Sequence, residues 1–320
     1  MRFGPMRFSF LRSVIGAGLI TSLFGVIPAQ AQLNTQHVKG LAGLKAGSQP
    51  PPHSYVILPL FYVYNTDTVK DRQGDPFGPS ADLTSVAFAT GFVQVTTKKI
   101  LGGFYSYQVL FPVIVNNRIQ GTEIDQNPGA GISDSGLTPI NLGWHFKHAD
   151  AVAAYNIFIP TGRYTDGASN NTGYGMWGHE VAFGTTAYVT PTRQYHAATV
   201  ASFDFQSKKE DSETKVGNAM NLEGGVGGDF LKGGLTVGLA YYASFKLTQD
   251  VIEGFPQILL RGKNKVFALG PEVSMAIARK GVLYGFLKFN YEWETYARTT
   301  TQGSEFNVTF TLAAKPIKLP

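Results

Sequence analysis

Gly234 to Leu247 reads GLTVGLAYYASFKL, and its apolar residues keep to one parity. Leu235, Val237, Leu239, Tyr241, Ala243, Phe245 and Leu247 alternate with Thr236, Gly238, Ala240, Tyr242, Ser244 and Lys246. A strand sends successive side chains to opposite faces, so this spacing predicts a strand with one greasy face and one small, polar face. The helical spacing i, i+3, i+4, i+7 is absent. The segment is longer than the roughly 9–11 residues a tilted strand needs to cross a bilayer. Similar segments recur from Ser54 onward, at 54–66, 84–97, 103–116, 136–148, 150–160, 177–190, 193–206, 218–231, 234–247, 264–279, 281–295 and 304–314. Two are irregular. Val86 to Val95 changes parity midway, and Gly136 to His148 carries Pro139.

The connections alternate between short and long. The short set is 98–102, the joint at Ala149, Pro191-Thr192, Lys232-Gly233 and Lys280. The long set is 67–83, 117–135, 161–176, 207–217, 248–263 and 296–303, rich in Asp, Asn, Gly, Ser and Thr. Short turns on one side and long loops on the other are what an outer-membrane barrel produces, whereas a soluble sandwich has no reason to segregate them. The predicted fold is an all-β, antiparallel, up-and-down transmembrane barrel of about twelve strands at 54–314, with a tail at 315–320. The termini of such a barrel lie on the periplasmic side.

Charges collect on the face opposite the apolar one, where they avoid the cost of meeting lipid. Lys288, Asn290, Glu292 and Glu294 oppose Leu287, Phe289, Tyr291 and Trp293. Tyr107, Trp144, Tyr188, Trp293 and Tyr296 fall near strand ends, where interfacial girdles are expected.

The N-terminus changes the picture. Arg2, Arg7 and Arg12 precede an apolar stretch, Val14 to Ile27, and Ala29-Gln30-Ala31 matches a cleavage site. Residues 1–31 read as a secretory signal peptide. Without its three arginines the formal charge falls from +5 to +2. The basic balance therefore carries no nucleic-acid inference. Residues 32–53 differ from the barrel: a weak helical turn over His37 to Gly47 ends at Pro50-Pro51-Pro52. They read as a loose periplasmic tail, with a small lumenal plug as the alternative. The chain has 37 Gly, 23 Phe, 15 Tyr and no Cys. It therefore has no disulfide framework, thiolate metal site or lipidated cysteine.

Four stretches resemble the outer-membrane family named for the meta-pathway of phenol degradation. They are Gly40-Leu41-Ala42-Gly43-Leu44-Lys45-Ala46-Gly47 with Pro50-Pro51-Pro52, Ile159-Pro160-Thr161-Gly162-Arg163-Tyr164, the Trp177 strand ending in Tyr188, and Leu269-Gly270-Pro271-Glu272-Val273. The resemblance implies a barrel that passes or handles hydrophobic aromatic compounds. It implies no catalytic residues and no particular substrate.

Candidate chemistry lies on the inward face. Glu180, Glu223, Asp229, Glu272 and Glu292 supply negative charge, and Lys246, Lys288, His145 and His196 the opposite sign. They are candidates to line a permeation path or anchor a plug, or to fill the interior as structural ion pairs. Glu123, Asp125 and Asp134 read as a solvated acidic loop rather than a cation site. No G-x-S-x-G occurs and the histidines are scattered. The expected protein is not an enzyme and has no cofactor or metal. It is expected to be a passive channel for small hydrophobic or aromatic molecules. Its partners would be outer-membrane lipid, those molecules and the barrel-assembly machinery, with no nucleic acid. The alternatives are a structural or adhesive barrel with a closed lumen, and a lipid-modifying enzyme.

Overall fold

The structure, a computed structural model, describes residues 34–76, 81–121, 125–254 and 263–318. The expected signal peptide lies outside the described residues. Twelve long strands follow one another: β1 (Ser54–Val69), β2 (Ala81–Ile100), β3 (Gly103–Gly121), β4 (Ser135–His145), β5 (Ala149–Ile159), β6 (Gly178–Tyr188), β7 (Tyr195–Gln206), β8 (Ala219–Phe230), β9 (Leu235–Lys246), β10 (Lys265–Arg279), β11 (Val282–Arg298) and β12 (Thr301–Lys318). Each pairs antiparallel with the next. β12 closes onto β1, with Val56 opposite Ala313 and Val69 opposite Thr301. Closure removes the sheet edges that a bilayer could not satisfy.

The wall is inverted relative to a soluble protein. Phe88, Phe92, Phe111, Phe183, Leu239 and Trp293 are exposed, while Glu180, Glu223, Glu272, Glu292 and Glu305 are buried. An apolar belt outside and a polar interior are what lipid and lumen respectively require. The short turns fit their geometry. Leu101-Gly102 and Lys280-Gly281 have positive φ at both positions, as a two-residue hairpin with strand-matching twist demands.

The two irregular segments are both strands. β2 itself alternates without a break, with Phe88 and Phe92 exposed and Ala89 and Val95 buried; the apparent parity change is the inward-facing apolar Val95, and the nearby bulge belongs to β3, where Val115 is extra. Pro139 sits where the β4–β5 register jumps from Leu137 to Ile140, so its missing donor costs no rung.

Three expectations are corrected. The connection expected at 296–303 is a two-residue turn, Thr299-Thr300, with Thr299 at φ +55. The polar run Thr301-Gln302-Gly303 looked like loop, but it pairs with Val69, Thr68 and Thr66. Residues 315–318 are strand rather than tail, with Ile317 opposite Leu283. Tyr188 belongs to no outer girdle: its hydroxyl donates to Asp150 and meets Ser48 on the inside.

Residues 34–53 take the second of their two expected forms, the lumenal plug, and do not hang as a loose tail from the barrel. They run through it, with Thr35 and Gln36 at the long-loop end and Ser48 and Gln49 at the short-turn end, where β1 begins.

Candidate functional site: a lumen threaded by its own N-terminus

Irregular backbone at membrane depth is tolerable only where protein groups satisfy it. Here inward side chains do so along the segment's length. Asn290 and Asn307 donate their amides to Gly40 O at 2.9 and 3.1 Å, and Lys288 donates to Leu41 O at 2.7 Å. In the other direction Ala42 N donates to Glu223 at 2.9 Å. Leu44 N donates to both oxygens of Glu272, and Gly47 N to Thr186 Oγ1.

The glycines of the Gly40 to Gly47 stretch explain themselves. Gly40 and Gly43 have φ of +75 and +64, a region that glycine enters without steric cost. A Cβ on Gly40 would stand 1.6 Å from Glu305 Oε1, and one on Gly43 would stand 1.9 Å from Glu272 Oε2. A Cβ on Gly47 would strike the Thr185 backbone at 2.1 Å. Between them Gly43 to Lys45 make one 3₁₀ turn, which aims Leu44 at the wall. Leu44 is 1% exposed. It fills a recess whose floor is Gly225 and Gly227 of β8 and Gly238 of β9. The glycine-rich run at Leu222 to Gly228 is thus a socket, smooth because a side chain there would evict the leucine.

The ends of the segment are clamped. Thr35 donates to Asp204 at 2.8 Å, and Gln36 Nε2 donates to Asp134 at 2.8 Å and to Met176 O. Lys45 pairs with Asp229 at 2.8 Å. Ser48 donates to Asp150 at 2.9 Å, and Gln49 to Ser106 at 2.6 Å. Asp150 also holds Tyr188, Arg193 and His145.

His37 is the electrostatic centre. Its Nδ1 lies 2.6 Å from Glu180 Oε2, and its Nε2 lies 2.8 Å from Glu223 Oε1. With a carboxylate on each ring nitrogen, both nitrogens act as donors and the ring is an imidazolium. His37, Glu180 and Asp204 each place a ligand atom within 4.8 Å of the others. Glu180 and Glu223 engage both ring nitrogens of His37, so the cluster forms an ion network.

The nine inward candidates are therefore mostly occupied. Glu180, Glu223, Asp229, Glu272 and Lys288 bond residues of the threaded segment. Glu292 faces Gly40 without bonding it. Lys246 is buried against Asp250, His196 is buried between Lys45 and Asp229, and His145 bonds Asp150 at the end of β4. Sequence reasoning passed over Asp150, Asn307, Glu305 and His37 as lumen residues, and misplaced Asp134. Asp134 is no solvated loop acid; it is buried and accepts from Gln36, Gly162 and Tyr174. Parity marks Glu305 and Asn307 as inward. No periodicity marks His37, because the segment has none.

One side of the lumen is tyrosine-rich. Tyr62 donates to Glu305 at 3.1 Å, while Tyr64 and Tyr242 both donate to Glu294 at 2.8 Å.

A closed ladder, an apolar outer belt and a polar, threaded lumen define a transmembrane β-barrel of the outer-membrane type. Residues 66–310 match the family described as "Putative MetA-pathway of phenol degradation", and the chain belongs to that family. No curated protein matches the sequence. Among solved structures, the COG4313 outer membrane channel from Pseudomonas putida F1 is similar with a TM-score of 0.70 at 12% identity, over 88% of this chain and 100% of that one. The beta domain of the Bordetella autotransporter BrkA gives 0.44 at 13% identity, over 81% and 99%. A deletion mutant of TodX, a monoaromatic hydrocarbon channel, gives 0.40 at 10% identity, over 82% and 90%.

Proposed function

We propose that this protein is a passive outer-membrane channel for small hydrophobic or aromatic molecules, closed in the state seen here by its own residues 34–53. The observation that carries the gate is the threaded segment, with bonds to the wall from Asp204 at one end to Ser106 at the other. The substrate class is supported by the family and by the lumen's chemistry. In the cluster of Tyr62, Tyr64 and Tyr242 the phenol hydroxyls donate to the carboxylates of Glu305 and Glu294. A phenol is the tyrosine side chain without its backbone, so it could replace these contacts one for one. Hydroxyl-bearing aromatics would be favoured over bare hydrocarbons.

The docked segment also favours a second reading, a structural barrel whose lumen stays shut. Uptake separates the two. Vesicles containing a variant that lacks residues 32–53 would be mixed with phenol and with a sugar of similar size, and entry followed by light scattering. Faster entry of phenol than of sugar, relative to empty vesicles, supports the channel. Entry of both at the empty-vesicle rate supports the closed barrel.

A further inference from the structure

The outer wall carries a second feature that the lumen does not use. Lys265 on β10 and Arg298 on β11 are direct register partners. Both point outward, because their neighbours Val266 and Ala297 are buried. Like charges set opposite each other destabilise a ladder unless something stands between them. Arg72 and Lys263 join them around a recess of about 300 Å³, whose only other lining residue is Thr299. Among the described residues none of these four cations is ion-paired.

The cluster is held in place. Thr299 N donates to Asp71 O, Lys70 N donates to Thr300 O, and Arg298 Nε donates to Arg72 O. These bonds fix the Arg72 loop onto the β11–β12 turn. The nearby carboxylate, Asp71, spends its Oδ1 on the backbone N–H groups of Gln73, Gly74 and Asp75. It shapes the loop, and its charge acts on Arg298 from beyond ion-pair distance.

Position supplies the ligand class. Down the outward column of β10 and β11, the cation pair is followed by Phe267 with Tyr296, then Leu269 with Trp293, then Val273 with Phe289 and Met275 with Leu287. Charge, aromatic ring and aliphatic chain follow in the order of headgroup, interface and acyl layer. The cluster stands at the long-loop end, which faces outward in this class of barrel. We propose that Lys265, Arg298, Arg72 and Lys263 form a site for the phosphate of an outer-leaflet phosphoglycolipid of the lipid A type. Arg and Lys donors meet a phosphate through charge-assisted bonds, while Tyr296 and Trp293 lie along its acyl chains.

The test is native mass spectrometry of the folded protein in detergent micelles, titrated with bisphosphorylated lipid A. The wild type is compared with the double variant Lys265→Gln/Arg298→Gln and with Lys280→Gln at the opposite rim. Folding is checked by heat-modifiable gel mobility, and Arg72→Gln replaces the double variant if that one does not fold. The expected result is at least tenfold weaker lipid binding by the cluster variant, with Lys280→Gln unchanged. Equal binding by wild type and cluster variant overturns the proposal. So does an equal response to inorganic phosphate alone, which would make this an anion site with no lipid specificity.

Discussion

Leu44→Ala is the sharpest single test of the gate. Leu44 is the one large apolar side chain of the threaded segment that is wholly enclosed, and its socket is made of glycine. The variant keeps the backbone bond to Glu272 and every charged contact. It removes a buried isobutyl group and leaves a void that three rigid strand glycines cannot fill. Transfer and cavity terms together come to about 2–4 kcal/mol. At about 1.4 kcal/mol per factor of ten, the ratio of undocked to docked segment should rise roughly 30- to 1000-fold. The assay is hydrogen exchange of residues 38–47 in micelles, read beside single-channel open probability. Exchange in the segment should quicken by that factor while the barrel strands keep wild-type protection. Unchanged exchange in the segment would refute the socket argument.

Other consequences follow from the same contacts. His37 bridges Glu180 and Glu223 through its two ring nitrogens, at 2.6 and 2.8 Å. His37→Ala removes both bonds, so open probability in bilayer recordings should rise, whereas an unchanged value would mean that this bridge does not hold the segment. Gly40→Ala should loosen the segment without harming the barrel, because its Cβ would overlap the Glu305 carboxylate at a left-handed φ. Exchange limited to residues 38–44 would show this. Asp134→Ala removes the acceptor for Gln36, Gly162 and Tyr174. Each orphaned donor costs about 1–3 kcal/mol, so the urea midpoint in micelles should fall, whereas a midpoint equal to wild type would mean that water replaces the carboxylate.

The wall was legible because a membrane imposes one rule on every strand. Leu235 to Leu247 had to alternate, and so did Phe267 to Ile277. Even Pro139 left a visible signature, marking the register jump between β4 and β5. What misled was polarity read locally. Thr301-Gln302-Gly303 looked like loop because nothing apolar stands there, yet the strands rise past the apolar belt, and their ladder to β1 needs no lipid-facing side chain. Tyr188 looked interfacial by its place at a strand end, but its parity with Glu180 already pointed it inward. The threaded segment was the least legible part. It has no periodicity, and its order comes from partners 50 to 270 residues away, such as Asn307 for Gly40 and Glu223 for His37. Its glycines carried the hint: Gly40, Gly43 and Gly47 are spaced for close approach to a wall. The inward charges were visible as a set and a plug was one of their expected uses, but not which residue of the segment each would hold.

The central claim is that residues 34–53 close a path that the barrel would otherwise leave open. Single-channel conductance in planar bilayers tests it directly, with the wild type beside a variant lacking residues 32–53. The account predicts rare or no opening in the wild type and a stable, frequent conductance in the truncated barrel. A truncated barrel that folds and remains as silent as the wild type would contradict it, and so would identical pores in both.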